Sequence, residues 1–106
     1  MIPSHVRIFV CTERQDMRRS FDALALAVQE RMALDPKSGA LFVFASKRSN
    51  RLKVLWFDRN GYCILYKRLH EALFELPEAT DGERPIATLD ARTLAAILRG
   101  VEKRTA

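Results

Sequence analysis

Three stretches decide how this chain folds: Ala40-Leu41-Phe42-Val43-Phe44-Ala45-Ser46, Arg51-Leu52-Lys53-Val54-Leu55-Trp56-Phe57-Asp58 and Tyr62-Cys63-Ile64-Leu65-Tyr66-Lys67-Arg68. Each is short, apolar and rich in β-branched or aromatic residues, and polar turn residues separate them. That pattern predicts an antiparallel β-meander of three strands. Asn60-Gly61 is the strongest turn signal, because a tight hairpin needs positive φ at its centre and these residues tolerate it. With those two as the loop, Lys53 lies opposite Arg68. With a four-residue loop, Arg51 does. Either register sets two cations across a ladder, an arrangement unfavourable by roughly 0.2–1 kcal/mol. A phosphate would relieve the repulsion.

The same segment concentrates positive charge. Residues 47–68 hold Lys47, Arg48, Arg51, Lys53, Arg59, Lys67 and Arg68 against the single carboxylate of Asp58, a net +6 within a chain of net +5. Charge is sorted along the sequence, since residues 69–90 carry −5 and the remaining segments stay between −1 and +3. The basic meander therefore reads as both core sheet and binding surface for an acidic partner, DNA foremost, with Arg18 and Arg19 adding to it. Lysine and arginine supply phosphate attraction without sequence preference. Trp56, Tyr62 and Tyr66, interleaved with the cations, are candidates to stack on unpaired bases. The acidic block from Glu71 to Asp90 offers a surface to a basic protein or folds against the basic sheet.

Outside the meander, Val6–Cys11 predicts a first strand. Phe21, Leu24, Ala25, Val28 and Met32 recur at helical spacing, with Ser20 as cap and Asp22 in the first turn. Asp35-Pro36-Lys37-Ser38-Gly39 ends that helix. Leu73–Leu76 is a candidate strand and 78–85 a surface loop, and Ile86–Thr88 is extended. Asp90 caps a second helix presenting Leu94, Ile97, Leu98 and Val101, and Gly100 either ends it or marks its last turn. The expected fold is α+β: an antiparallel β-meander with two amphipathic helices packed on the sheet. Residues 1–102 are expected to form one domain, with 103–106 as a frayed tail. Leu52, Val54 and Trp56 alternate with Leu55 and Phe57, so both sheet faces are apolar and both need cover. Two helices supply it, or one helix layer with a second copy in a homodimer.

The chemistry of catalysis is sparse. Four glycines stand singly, and His5 and His70 are isolated, so neither a phosphate-cradling loop nor a zinc spacing is present and no cofactor or metal is expected. A two-metal nuclease would need Asp16, Asp58 and an acid from Glu71 to Glu75 to converge. Arg18 beside Asp16 and Arg59 beside Asp58 explain those carboxylates as ion pairs or turn residues, and no enzymatic activity is expected. No run approaches about 18 apolar residues, the length of a membrane span. The N-terminus lacks the pattern of a secretory signal. Cys11 and Cys63 lie in apolar runs and read as free buried thiols, which fits a cytoplasmic protein.

Several motifs occur together and in order: Met1-Ile2-Pro3, Asp16 through Ala25, Asp35-Pro36-Lys37-Ser38-Gly39, Leu41-Phe42-Val43-Phe44, Lys53-Val54-Leu55-Trp56, Asn60-Gly61-Tyr62, Tyr66-Lys67-Arg68-Leu69 and Leu94 through Gly100. On these the chain resembles the small second-reading-frame protein (TnpB) of insertion sequences of the IS-sixty-six type. The resemblance runs from Met1 to about Val101. The sequence departs from it at Ser20, where glycine is common, at Phe57, where a second tryptophan is common, and at Leu73–Pro77. The resemblance implies a non-catalytic accessory protein of DNA transposition, working beside a larger transposase that carries the catalytic acids. Its implied partners are the DNA ends of the element, that transposase and other proteins of the element. DNA contact through Arg18, Arg19, Lys47, Arg48, Arg51, Lys53, Lys67 and Arg68 is the leading expectation. An adaptor that docks the transposase without touching DNA is the alternative.

Overall fold

The computed structural model describes residues 5–80 and 82–102. In chain order these form β1 (Ile8–Cys11), α1 (Phe21–Glu30), β2 (Leu41–Ala45), β3 (Arg51–Asp58), β4 (Gly61–Arg68), β5 (Ala72–Leu73), β6 (Ile86–Leu89), α2 (Ala91–Arg99) and β7 (Val101–Glu102). The expected tail at 103–106 and the Met1-Ile2-Pro3 motif lie outside the described residues.

The meander forms as β2-β3-β4, antiparallel throughout. It is extended on the β2 side by β1 and then β6, giving the sheet order β4-β3-β2-β1-β6. β1 pairs with β2 in parallel, Ile8 opposite Leu41 and Val10 opposite Val43, and β6 closes the edge antiparallel to β1. A parallel pair needs a crossover longer than a hairpin, and α1 with its flanking loops provides it. The β3–β4 turn differs by one residue from the strongest local signal. Asp58 pairs with Gly61, so Arg59-Asn60 forms the turn, and Arg59 takes the positive φ of 53°. Gly61 becomes the first residue of β4. This places Arg51 opposite Arg68.

Both faces of the sheet are buried within one chain. On one face Leu24, Ala27, Val28 and Met32 pack with Phe42, Phe44 and Leu55. On the other, Leu94 and Ile97 join Val10, Val43, Leu52, Val54 and Phe74. Alternate residues of the same strands serve opposite cores, as the twofold pleat requires. The two helices supply the double cover, which removes the need for a second copy to shield either face.

Local signals misplace two residues. Phe21, expected on the buried stripe, is 44% exposed, and Ala27 is buried in the helix interior. Val101 leaves α2 because Gly100, at φ 73°, ends the helix, and Val101 then pairs with Leu73 in β7. Ser20 occupies the cap position of α1 without a side-chain cap bond. Asp90 does cap α2, accepting from the Thr93 amide at 2.7 Å.

A Cβ on Gly100 would lie 2.6 Å from Leu69 Cδ1, and the backbone there has positive φ. Gly100→Ala is therefore expected to cost about 1–3 kcal/mol, read as a lower urea midpoint at unchanged slope. Hydrogen bonding from Thr93 holds the Asp90 carboxyl below its usual value. Its contribution is full above the ordinary carboxylate range, about pH 4, and is lost as pH falls through the depressed value. Asp90→Ala should lower the melting temperature at neutral pH, and the gap to wild type should close on acidification.

Candidate nucleic-acid interface

The carboxyl ends of β1 and β2, the start of β3 and the end of β4 meet at one end of the sheet. Three loops converge there. The Gln15 amide donates to the Ala45 carbonyl (2.9 Å), which ties the segment after β1 to the end of β2. Gln15 is itself buried. Its amide nitrogen donates to the Glu13 carbonyl (3.2 Å), and its oxygen accepts from Arg19 Nη1 (3.3 Å). The Ser46 amide donates to the Arg51 carbonyl, and the Arg51 amide donates back to Ser46 Oγ. Ser49 closes the same turn onto Ser46 with φ 60°. Lys47 and Arg48 sit at its exposed tip. The chain after β4 clamps the turn from outside, through Leu69 to the Asn50 carbonyl (2.8 Å) and Phe74 to the Ser49 carbonyl (2.6 Å). A turn bonded on both sides has little backbone freedom to lose on binding.

An open groove of about 410 Å³ lies between the first two loops, lined by Gln15, Asp16, Met17, Arg18, Ser46, Lys47, Arg48, Asn50 and Arg51. Arg51 also borders a groove of about 300 Å³ with Tyr66 and Arg68. Arg48 and Asn50 border another that runs towards Leu69 and Glu71. The three grooves therefore form one continuous basic rim.

The eight expected contact residues divide by what each already touches. Lys47, Arg48, Arg51 and Arg68 are exposed, and among the described residues no carboxylate forms an ion pair with them. Arg19 is exposed and held by Gln15. Arg18 is bound to Asp16, whose two carboxylate oxygens receive Nε and Nη2 at 2.6–3.1 Å. That guanidinium holds the Asp16 carboxyl well below the usual range. Lys67 points to the α2 side of the sheet and donates to the Leu98 carbonyl at 2.8 Å, near the negative end of the helix.

Lys53 is buried, at 6% exposure. Its ammonium donates to the Arg19 carbonyl at 2.6 Å and lies 4.8 Å from the centre of the Tyr66 ring. A buried cation needs such partners. The placement makes Lys53 a support beneath the rim, with its charge already occupied. The acids of the nuclease scheme do not converge. Asp16 borders the groove, whereas Asp58 ends β3, about 23 Å from Arg51 along an eight-residue strand. Among the described residues no three acidic, histidine or cysteine side chains gather as a metal site.

Sequence pattern alone does not single out Gln15, Ser46 and Asn50 as the residues that hold the rim together. They are isolated polar residues whose roles depend on backbone atoms contributed by distant strands. Tyr66 is visible as an aromatic among cations, but its pairing with Lys53 follows from the register.

If Asp16 restrains Arg18, then Asp16→Asn releases one cation and removes one negative charge from the groove. This variant is expected to bind DNA more tightly than wild type at low salt, with a steeper salt dependence, in a fluorescence-anisotropy titration.

No helix of the described residues is long and apolar enough to cross a membrane. No solved structure matches the chain. The chain is 40% identical over 106 residues to "Uncharacterized protein y4hO" of Sinorhizobium fredii (strain NBRC 101917 / NGR234), covering 98% of this chain and 90% of that relative. It is 35% identical over 77 residues to "Uncharacterized protein y4jC" of the same strain, covering 73% of this chain and 66% of that relative. The family model described as "IS66 Orf2 like protein" matches residues 6–106. With that match spanning nearly the whole chain, the protein belongs to the IS66 Orf2-like family of transposition-associated accessory proteins.

Proposed function

We propose that this protein is a non-catalytic DNA-contacting accessory factor, which holds the ends of its insertion sequence through the basic rim while a separate transposase performs the chemistry. The observation that carries this reading is the cluster of Lys47, Arg48, Arg51 and Arg68, exposed on three adjoining grooves without carboxylate partners among the described residues. Cations so concentrated repel one another in the free protein, and a phosphodiester backbone removes that repulsion. Arg19 extends the contact along the first loop. Lys53 contributes by holding Tyr66, and Lys67 by anchoring β4 to α2. The thiols Cys11 and Cys63 are free, in keeping with a reducing cytoplasm, although only Cys11 is buried and Cys63 on the edge strand is half-buried.

The alternative is an adaptor that docks the transposase without DNA. The outer edge of β4 favours it. That eight-residue strand ends the sheet and leaves Leu65 42% exposed, and Glu71, Glu75 and Glu78 are exposed in the segment that follows. A free edge can accept a strand from a partner or from a second copy.

Titration of labelled oligonucleotides separates these readings. Direct DNA contact predicts binding that weakens steeply with salt, and a slope that falls by about one for each of Arg48→Ala, Arg51→Ala and Arg68→Ala. Failure to bind any DNA at low salt, together with co-purification of the transposase, would establish the adaptor instead.

A further inference from the structure

Four residues form a square at the end of the β3–β4 ladder. Arg51 pairs with Arg68, and two residues inward Lys53 pairs with Tyr66. Residues two apart on a strand share a face, so all four side chains project to the α1 side. The Lys53 ammonium lies against the ring of Tyr66, 4.8 Å from its centre, and Arg51 Nη1 donates to the phenol oxygen at 3.4 Å. The tyrosine is thus held at its face and its hydroxyl, yet 49% of it is exposed. Its open part borders a groove that it shares with Arg51 and Arg68.

We infer that this square is a binding site for one unpaired nucleotide of single-stranded DNA, its phosphate bridging Arg51 and Arg68 and its base stacking on Tyr66. The inference deepens the DNA-contact reading and rests on it. Arg51 and Arg68 are paired directly across the ladder, and one phosphate can accept from two such arginines. Tyr66 and Arg68 stand about 6.6 Å apart along β4, a separation that one nucleotide spans from phosphate to base. Lys53 covers one side of the ring, leaving the opposite side for the base. Duplex DNA would engage only the guanidinium groups, because its bases are stacked on each other and cannot reach a side chain lying on a sheet. The site is indifferent to base identity, since every base presents a π-face.

The test compares three fluorescein-labelled probes of equal length, oligothymidylate, an abasic oligonucleotide and a duplex, by anisotropy at low salt. Wild-type protein is expected to bind oligothymidylate roughly tenfold more tightly than the abasic strand, the worth of one stacked base. Tyr66→Phe should retain that preference. Tyr66→Leu, which keeps an apolar cover over Lys53, should abolish it. Arg68→Ala should weaken all three probes. Equal affinity of wild type for the thymidylate and abasic strands, or an undiminished preference in Tyr66→Leu, overturns the nucleotide site while leaving DNA contact standing. Loss of all binding at low salt overturns both.

Discussion

The register of β3 against β4 is the constraint from which the rest of this architecture follows. Alternation of apolar and polar residues normally fixes register, because a slip of one residue turns every side chain to the wrong face. Here both faces of the sheet are apolar, so that restraint is weak in Val54, Leu55, Trp56 and Phe57. The turn at Arg59-Asn60 and the placement of Lys53 supply what alternation does not. A one-residue slip of β3 would push the Lys53 ammonium towards the α2 core, away from the Arg19 carbonyl and the Tyr66 ring. A buried charge without partners is costly. The lysine therefore acts as a pin for the ladder.

That pin also links the core to the surface. Its acceptor, the Arg19 carbonyl, lies in the loop between β1 and α1, and the same loop is bound to β2 through Gln15. The loop at 46–51 is closed on itself by Ser46 and braced by the segment after β4. Three segments far apart in sequence are thus fixed relative to one another by buried or backbone hydrogen bonds. Their cations are carried on a rigid frame and face solvent. Stability sits beneath the rim, while the repulsion among Lys47, Arg48, Arg51 and Arg68 remains on top of it.

The double-sided core explains how so small a chain carries this arrangement. α1 and α2 lie on opposite faces, and each strand of the meander contributes alternate residues to the two cores. Covering both faces from within leaves the edge strands, of which β4 is the longer, open to others. Leu65 and Tyr66 are exposed on that strand, next to Lys67 and Arg68, whose charges discourage indiscriminate strand pairing.

Local signals along the chain suffice for the three meander strands, both helices, the Asp90 cap and the clustering of positive charge around residues 47–68. These depend on contacts within a few residues, where turn chemistry, periodicity and composition act directly. The tertiary structure alone decided that β1 enters beside β2 in parallel, that the hairpin turns on Arg59-Asn60, and that Phe21 stays outside while Lys53 goes in. It also sorted the cations: Arg18 to Asp16, Lys67 to the end of α2, Lys53 beneath Tyr66, and the others to the rim. Such choices are settled between segments that meet only in the folded chain, where the cost of desolvating a charge is weighed against partners that no local window contains.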